Sequence, residues 1–412
     1  MSNHKYSGWI STTLGEICNP TNGLQTGPFG SQLHAEDYTS DGVPVIMPKD
    51  ITRGRISEVT IARIPEATAE SLKKHRCSSG DIVFGRRGDI GRCGLITNKE
   101  EGWLCGTGCL RARLNGKVSS DYLIHALNLP QVTAWLVSNA VGQTMLNLNT
   151  SILSELPLEL PPLGEQTKIA EVLTNWDASI EQAEKLITAK ALRKRGLMQQ
   201  LLTGKNRFPE FQGQEWVKVS AGDLFKNVSV KGNKNEELLS ATQDRGMIPR
   251  SMLEARVTMP TGDTHSFKLV EVGDFVISLR SFQGGLEYSY YRGIVSPAYT
   301  VLKQRKTTNA EFYKQYFKSY EFIGRLATAV IGIRDGKQVS YEDFCLVNIP
   351  FPSIKEQARI AEVLNTCDRE IDLLKQQLVA LKRQKLGLMQ KLLTGQIRVK
   401  VDDVEAATVE AS

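Results

Sequence analysis

The sequence predicts an α/β protein in which two α/β globules are separated by a pair of long antiparallel helices, as a pseudo-two-fold internal duplication. Three observations lead there. Residues 165–204 (EQTKIAEVLTNWDASIEQAEKLITAKALRKRGLMQQLLTG) recur as residues 356–395 (EQARIAEVLNTCDREIDLLKQQLVALKRQKLGLMQKLLTG) at a constant offset of 191 (356 − 165), with 19 of 40 positions identical. Both copies carry apolar residues at alternating steps of four and three, the seam of a coiled coil. Upstream of each copy lies a stretch of ordinary globular composition that shares landmarks with its counterpart and otherwise differs.

The first copy places Ile169, Leu173, Trp176, Ile180, Ala183, Ile187, Leu197 and Leu201 on the seam, with Met198 beside it. The second places Ile360, Leu364, Cys367, Ile371, Leu374, Leu378, Leu381, Leu388 and Leu392 there, with Met389 beside it. Lys194 and Lys385 interrupt both seams at the same place, as a polar residue that sets register does. Each helix starts after proline and should stop at Gly204 or Gly395, glycine being the usual left-handed cap. The domains expected are 1–162 (first globule), 163–205 (first helix), 206–352 (second globule) and 353–397 (second helix). An acidic, disordered tail follows at 398–412. A linker of only about ten residues should bring the second helix back alongside the first.

Within the globules the landmarks pair in order: Trp9 and Gly15 with Trp216 and Gly222, and Gly80-Asp81-Ile82-Val83 with Gly273-Asp274-Phe275-Val276. Strands are predicted at 43–47, 81–84, 109–114, 274–279 and 294–302. Helices are predicted at 121–137, with Pro130 splitting it, and at 309–329.

At 412 residues, 41% hydrophobic and 23% charged, the chain can bury two or three cores. No apolar run of about 18 residues occurs, so no membrane span is expected. Seven cysteines in no regular framework suggest free thiols in a reducing cytoplasm. His75, Cys77, Cys93, Cys105 and Cys109 match no paired zinc spacing, so no metal is expected. No phosphate loop or dinucleotide fingerprint is present, and Asn19-Pro20-Thr21 is not a DNA-methyltransferase motif. No catalytic residue is therefore assigned.

What remains is surface suited to nucleic acid. The net charge is +6. Arg86 and Arg87 sit in a glycine-flanked turn after a predicted strand, where an arginine fork can pair with guanine. The matching turn of the second half carries Arg280, Ser281 and Gln283, different side chains suited to a different half-site. Lys49, Arg53 and Arg55 form a second basic loop. Gln143, Asn147 and Asn149 form a third, answered by Arg334, Lys337 and Gln338 in the second half.

The paired EQ..IAEVL and GLMQ.LLTG segments, with Gly-Pro-Phe-Gly-Ser at 27–31, Gly80-Asp81-Ile82 and the prolines at 161–162 and 350–352, resemble the specificity subunits of Type I restriction–modification systems over 9–399. That resemblance implies two target recognition domains, each reading one part of a split asymmetric DNA site. The helices would set the unread gap and dock two modification subunits, with Leu173, Trp176, Leu197, Met198, Leu201, Leu364, Leu378, Leu388, Met389 and Leu392 as spacer and partner contacts. S-adenosylmethionine, ATP and magnesium would belong to the modification and restriction subunits, and this chain would bind none. The alternatives are a related enzyme whose partner fuses methylation and cleavage, and a coiled-coil scaffold that reads no sequence.

Overall fold

The computed structural model of the chain describes residues 8–29, 32–52, 54–142, 146–253, 264–279, 281–330 and 339–401. It has two compact units, Met1–Gln182 with Leu378–Ser412, and Ala183–Gln377. The division cuts both long helices, Leu163–Leu201 and Ile354–Leu392, so each unit owns part of each. Compactness thus groups each globule with the helical segments packed on it, rather than at the boundaries drawn from the repeats.

In unit 1 a four-stranded antiparallel sheet runs in the order Leu24–Thr26, Cys109–Ala112, Ile82–Gly85, Cys93–Leu95. Ile10–Thr13 pairs with Pro157–Leu160, bringing the globule's two ends together just before the first long helix. Unit 2 repeats this plan. Phe225–Val228, Thr300–Gln304, Phe275–Ile277 and Glu287–Tyr288 form its sheet in the same order, and Val217–Ser220 pairs with Asn348–Phe351. The Gly-Asp landmark explains itself here. Gly80 and Gly273 take positive φ, and Asp81 and Asp274 each accept the backbone N–H three residues earlier (Ser78 and Glu271, both 2.8 Å).

The expected helix at 121–137 is two, Ser120–Leu127 and Pro130–Asn139, divided at the proline. Its counterpart also divides, into Ala310–Tyr316 and Tyr320–Val330, with no proline to announce it. The strand expected at 294–302 is two strands, Gly293–Val295 and Thr300–Gln304. They join different sheets, and Pro297 lies between them.

Within each unit the two helical segments run antiparallel, because one residue number rises as its partner's falls. In unit 1, Glu165 meets Arg398 and Asp177 meets Lys385 (2.6 Å). In unit 2, Lys190 meets Glu370, Lys194 meets Asp368 (2.5 Å) and Arg207 meets Glu356. The two seam lysines are therefore ion-paired across the helices, each to the aspartate 191 residues from the other's partner. Gly204 and Gly395 take φ of 72° and 73°, the left-handed conformation that ends each helix.

The repeated Glu-Gln at the helix starts is the lock. Glu356, 1% exposed, accepts Arg207 at 2.8 and 2.6 Å and the Trp216 indole N–H at 2.9 Å. Gln357 donates to Pro352 O at 2.8 Å and accepts the Asn309 N–H at 2.8 Å. In unit 1, Glu165 accepts Arg398, while Gln166 donates to Pro161 O (2.8 Å) and accepts the Ser119 N–H (2.9 Å). One residue pair thus ties helix start, helix end and globule together.

Among the packed positions at which the two units differ, one faces the long helices with polar groups. His125 of unit 1 lies 3.3 Å from Thr174 Oγ1 and 3.9 Å from Asp177, whereas Gln315 of unit 2 donates to Asn365 (2.9 Å) and Asp368 (2.7 Å). Burial, helped by the Lys385 charge and opposed by Asp177, pushes the His125 imidazolium down to about 4 from an ordinary 6.5.

Three outcomes follow. Arg207→Ala should destabilise the chain by about 3 kcal/mol in urea unfolding, because it strands a buried carboxylate. Lys375→Ala, which removes an exposed pair with Asp372, should change stability by less than about 0.5 kcal/mol. A histidine depressed in the fold binds its proton more readily when unfolded. Its contribution is therefore complete above pH 6.5 and lost as pH falls toward 4. His125→Gln should flatten that part of the stability profile, a change of up to about 3 kcal/mol; an unchanged profile would assign the acid sensitivity to other groups.

Candidate nucleic-acid interface

The turn after the strand Ile82–Gly85 and the loop before the short helix Thr150–Ser154 are built as one piece in unit 1. The Arg86 N–H donates to Gly108 O (2.8 Å), and the Leu148 N–H donates to Arg86 O (2.9 Å). The Arg86 side chain then donates through Nε to Asn147 Oδ1 (2.9 Å) and Leu148 O (3.1 Å). Two expected contact residues, Arg86 and Asn147, are thereby brought together, but Arg86 is half-buried and partly engaged in joining the loops. Arg87 is exposed, its backbone bridged to Asn147, and its guanidinium has no partner among the described residues. Gly88 (φ 78°) has nothing within 4 Å, which places the turn's tip in solvent. Arg92 pairs with Asp89 at 2.6 Å.

Lys49 is exposed. It donates to Thr60 O (3.1 Å), and its neighbour Pro48 packs on Gly85 and Gly108. Arg55 lies elsewhere: it pairs with Glu181 of the first long helix at 2.6 Å. It lines a cavity of about 730 Å³ in unit 1 with His125, Thr174, Asp177 and Lys385. Asn149 caps the helix Thr150–Ser154 by accepting the Ile152 N–H. Arg53 and Gln143 lie outside the described residues.

In unit 2 the expected exposed turn is a one-turn helix, Ser281–Gly284. Ser281 is 0% exposed, and its hydroxyl accepts the Ser278 N–H at 2.8 Å. It shapes the turn instead of reaching outward, a correction to its assignment as a surface contact. Gln283 is exposed. Arg280, Arg334, Lys337 and Gln338 lie outside the described residues.

The helix residues expected as spacer and partner contacts lie mostly on the inner side of the helices. Leu173, Met389 and Leu392 belong to the core of unit 1, with Leu388 against it; Leu201 and Leu364 belong to that of unit 2, with Leu197 and Met198 against it. Trp176 and Leu378 are half-buried. The exposed large apolar residues of the helices are others: Leu163, Leu186 and Leu192 on the first, Ile354, Leu373, Val379 and Leu386 on the second. Heptad reading finds the inner seam and passes over them, since they stand off it.

The cysteines are free thiols, and burial pushes the Cys93 thiol up to about 12. Among the described residues no group of three or more His, Cys, Asp or Glu side chains is placed to hold a metal. No helix among them is long and apolar enough to cross a membrane.

Comparison with known proteins agrees with this architecture. A specificity subunit of the MjaVIII type I restriction enzyme from Methanocaldococcus jannaschii is 26% identical over 352 residues, covering 78% of this chain and 77% of that protein. The crystal structure of a Type I restriction–modification S subunit from M. genitalium superposes with a TM-score of 0.58 at 16% identity, covering 95% of this chain and 97% of that one. A chain from a structure described as the basis of complex assembly and conformational transition of the type I R-M system gives 0.56 at 18% identity, covering 95% and 99%. The family described as the Type I restriction modification DNA specificity domain matches residues 6–190 and again residues 213–383. Two matches, one per half of the duplication, show that the chain belongs to the Type I restriction modification DNA specificity domain family.

Proposed function

We propose that this chain is the non-catalytic, sequence-reading subunit of a Type I restriction–modification enzyme. Each globule reads one half of a split, asymmetric site in double-stranded DNA. The observation that carries this reading is the duplication itself: two globules share one sheet order and one helix lock, yet carry different side chains on the equivalent turns. A common scaffold with divergent loops is what two readers of different sequences require, since loop side chains specify bases while the scaffold positions them.

The long helices are the proposed ruler for the unread gap. At about 1.5 Å per residue, 39 residues extend about 58 Å, more than the roughly 34–36 Å of one DNA turn. Two modification subunits would dock on the helices through the exposed Leu186, Leu192, Leu373, Val379 and Leu386, bringing S-adenosylmethionine and the pocket for a flipped adenine. Restriction subunits would add ATP- and magnesium-dependent cleavage. The chain's own part is binding and orientation.

Mapping methylated adenines genome-wide in cells that carry the chain and its modification subunit should return a bipartite, asymmetric motif. Purified chain alone should transfer no methyl group and cut no DNA; activity without partners would overturn the reading. Replacing residues 206–352 by the equivalent segment of a relative should change one half of the motif only. Inserting four residues, about one helical turn, into each long helix should lengthen the unread gap, and an unchanged gap would remove the ruler role.

A further inference from the structure

The most exposed aromatic ring near the reading loops of unit 1 is unused by everything above. Phe29, 58% exposed, follows two residues tied to the neighbouring strand and loop. The Gly27 N–H donates to Cys109 O (2.9 Å), and a Cβ on Gly27 would lie 2.0 Å from Gly106 O, so only glycine fits there. Thr107 Oγ1 donates to Pro28 O (3.1 Å), and Pro28 fixes its own φ. The Phe29 N–H donates to Gln32 Oε1 (3.2 Å), and the Gln32 N–H donates back to Phe29 O (2.8 Å). A large apolar side chain is thus presented to solvent on a pedestal whose ordering cost is already met by the fold.

The pedestal adjoins the basic turn. Gly106 and Thr107, which hold Gly27 and Pro28, lead into Gly108, whose carbonyl accepts the Arg86 N–H. Pro48, beside Lys49, packs on Gly108 and accepts Arg92 Nη1 at 3.3 Å. The loop of Phe29 and the residue Lys49 are therefore linked to the Arg86–Arg87 turn through Gly106–Gly108 and Pro48, and Asp89, the carboxylate within the turn, is paired to Arg92. A protein partner would be expected to meet a contiguous apolar patch. A single exposed ring on a loop joined to a cationic turn instead suits a polyanion with stacked flat faces.

We propose that Phe29 is a specificity-determining wedge that stacks on a base step of the half-site read by unit 1, opening that step while Arg87 neutralises the adjacent phosphate. The proposal rests on the DNA-reading function above and adds deformation of one step to it. The equivalent stretch of unit 2 carries no such ring: after the strand Phe225–Val228 the chain continues Ser229-Val230-Lys231. The protein would then read the half-site of unit 1 partly through how easily its step unstacks.

The test uses the complex of this chain with its modification subunits, on duplexes of the mapped target with 2-aminopurine placed singly at positions other than the methylated adenines. On binding, one position in the half-site of unit 1 should brighten. Phe29→Ala should abolish that signal and weaken binding about tenfold while leaving the salt dependence of affinity unchanged. Phe29→Trp should keep both signal and affinity. Arg87→Ala should keep the brightening but lower the salt slope by about 1. Brightening that survives Phe29→Ala would overturn the wedge while leaving the DNA-reading function intact. So would a Phe29→Ala chain that assembles poorly with the modification subunits yet binds DNA normally once assembled, which would make Phe29 a protein contact. Absence of sequence-specific binding in the unmutated complex would instead overturn the function, and the wedge with it.

Discussion

A buried carboxylate at the start of each long helix, closed by an arginine from beyond the end of the other, is the constraint on which each unit is built. Glu356 is 1% exposed and paired with Arg207, and Glu165, 7% exposed, is likewise paired with Arg398. A buried charge is tolerated only when paired, so the cost of losing the arginine holds the antiparallel register. The following glutamine spends its side chain on a proline carbonyl before the helix and a backbone N–H of the globule's helical layer. Helix pairing and globule docking are therefore one event. A duplication that copies four residue types copies the whole joint.

With the joint fixed, the globules are free to diverge where nothing depends on them. Their sheets keep strand order and the Gly-Asp turn, while the loop after the central strand is a clamped arginine turn in one and a serine-shaped helical turn in the other. Even inside the packed layer the copies have parted, at His125 and Gln315. The glutamine makes two hydrogen bonds to helix side chains where the histidine makes one long contact and carries an acid sensitivity. The shared frame is therefore closely symmetric, and the surfaces it carries are not.

The helices separate two tasks by face. Their apolar seam is consumed by the cores of the two units, and their lysines by cross-helix ion pairs. Of the apolar residues left on the outside, Leu163 and Ile354 at the helix starts correspond, while those along the helix bodies do not. Leu186 answers Gln377, Leu192 answers Arg383 and Leu373 answers Gln182. A partner docking on one copy would meet a different surface from its twin on the other.

The repeat, the coiled-coil seam, the glycine caps and the split at Pro130 were all legible in the amino-acid order. Each depends on local geometry: a period of 3.5, a positive φ, a missing N–H. The register role of Lys194 and Lys385 was legible too, but their aspartate partners are 174 and 208 residues away. Only tertiary structure decided which polar loop residues face outward. Ser281 and Arg86 look like surface residues by type, yet a backbone N–H three residues away holds one and a loop 61 residues away engages the other. Phe29 was visible as part of a motif, but its exposure follows from how closely Gly27 approaches Gly106, a long-range contact. Period and backbone chemistry are written along the chain; the side of a loop that meets solvent is set by what distant segments occupy the other side.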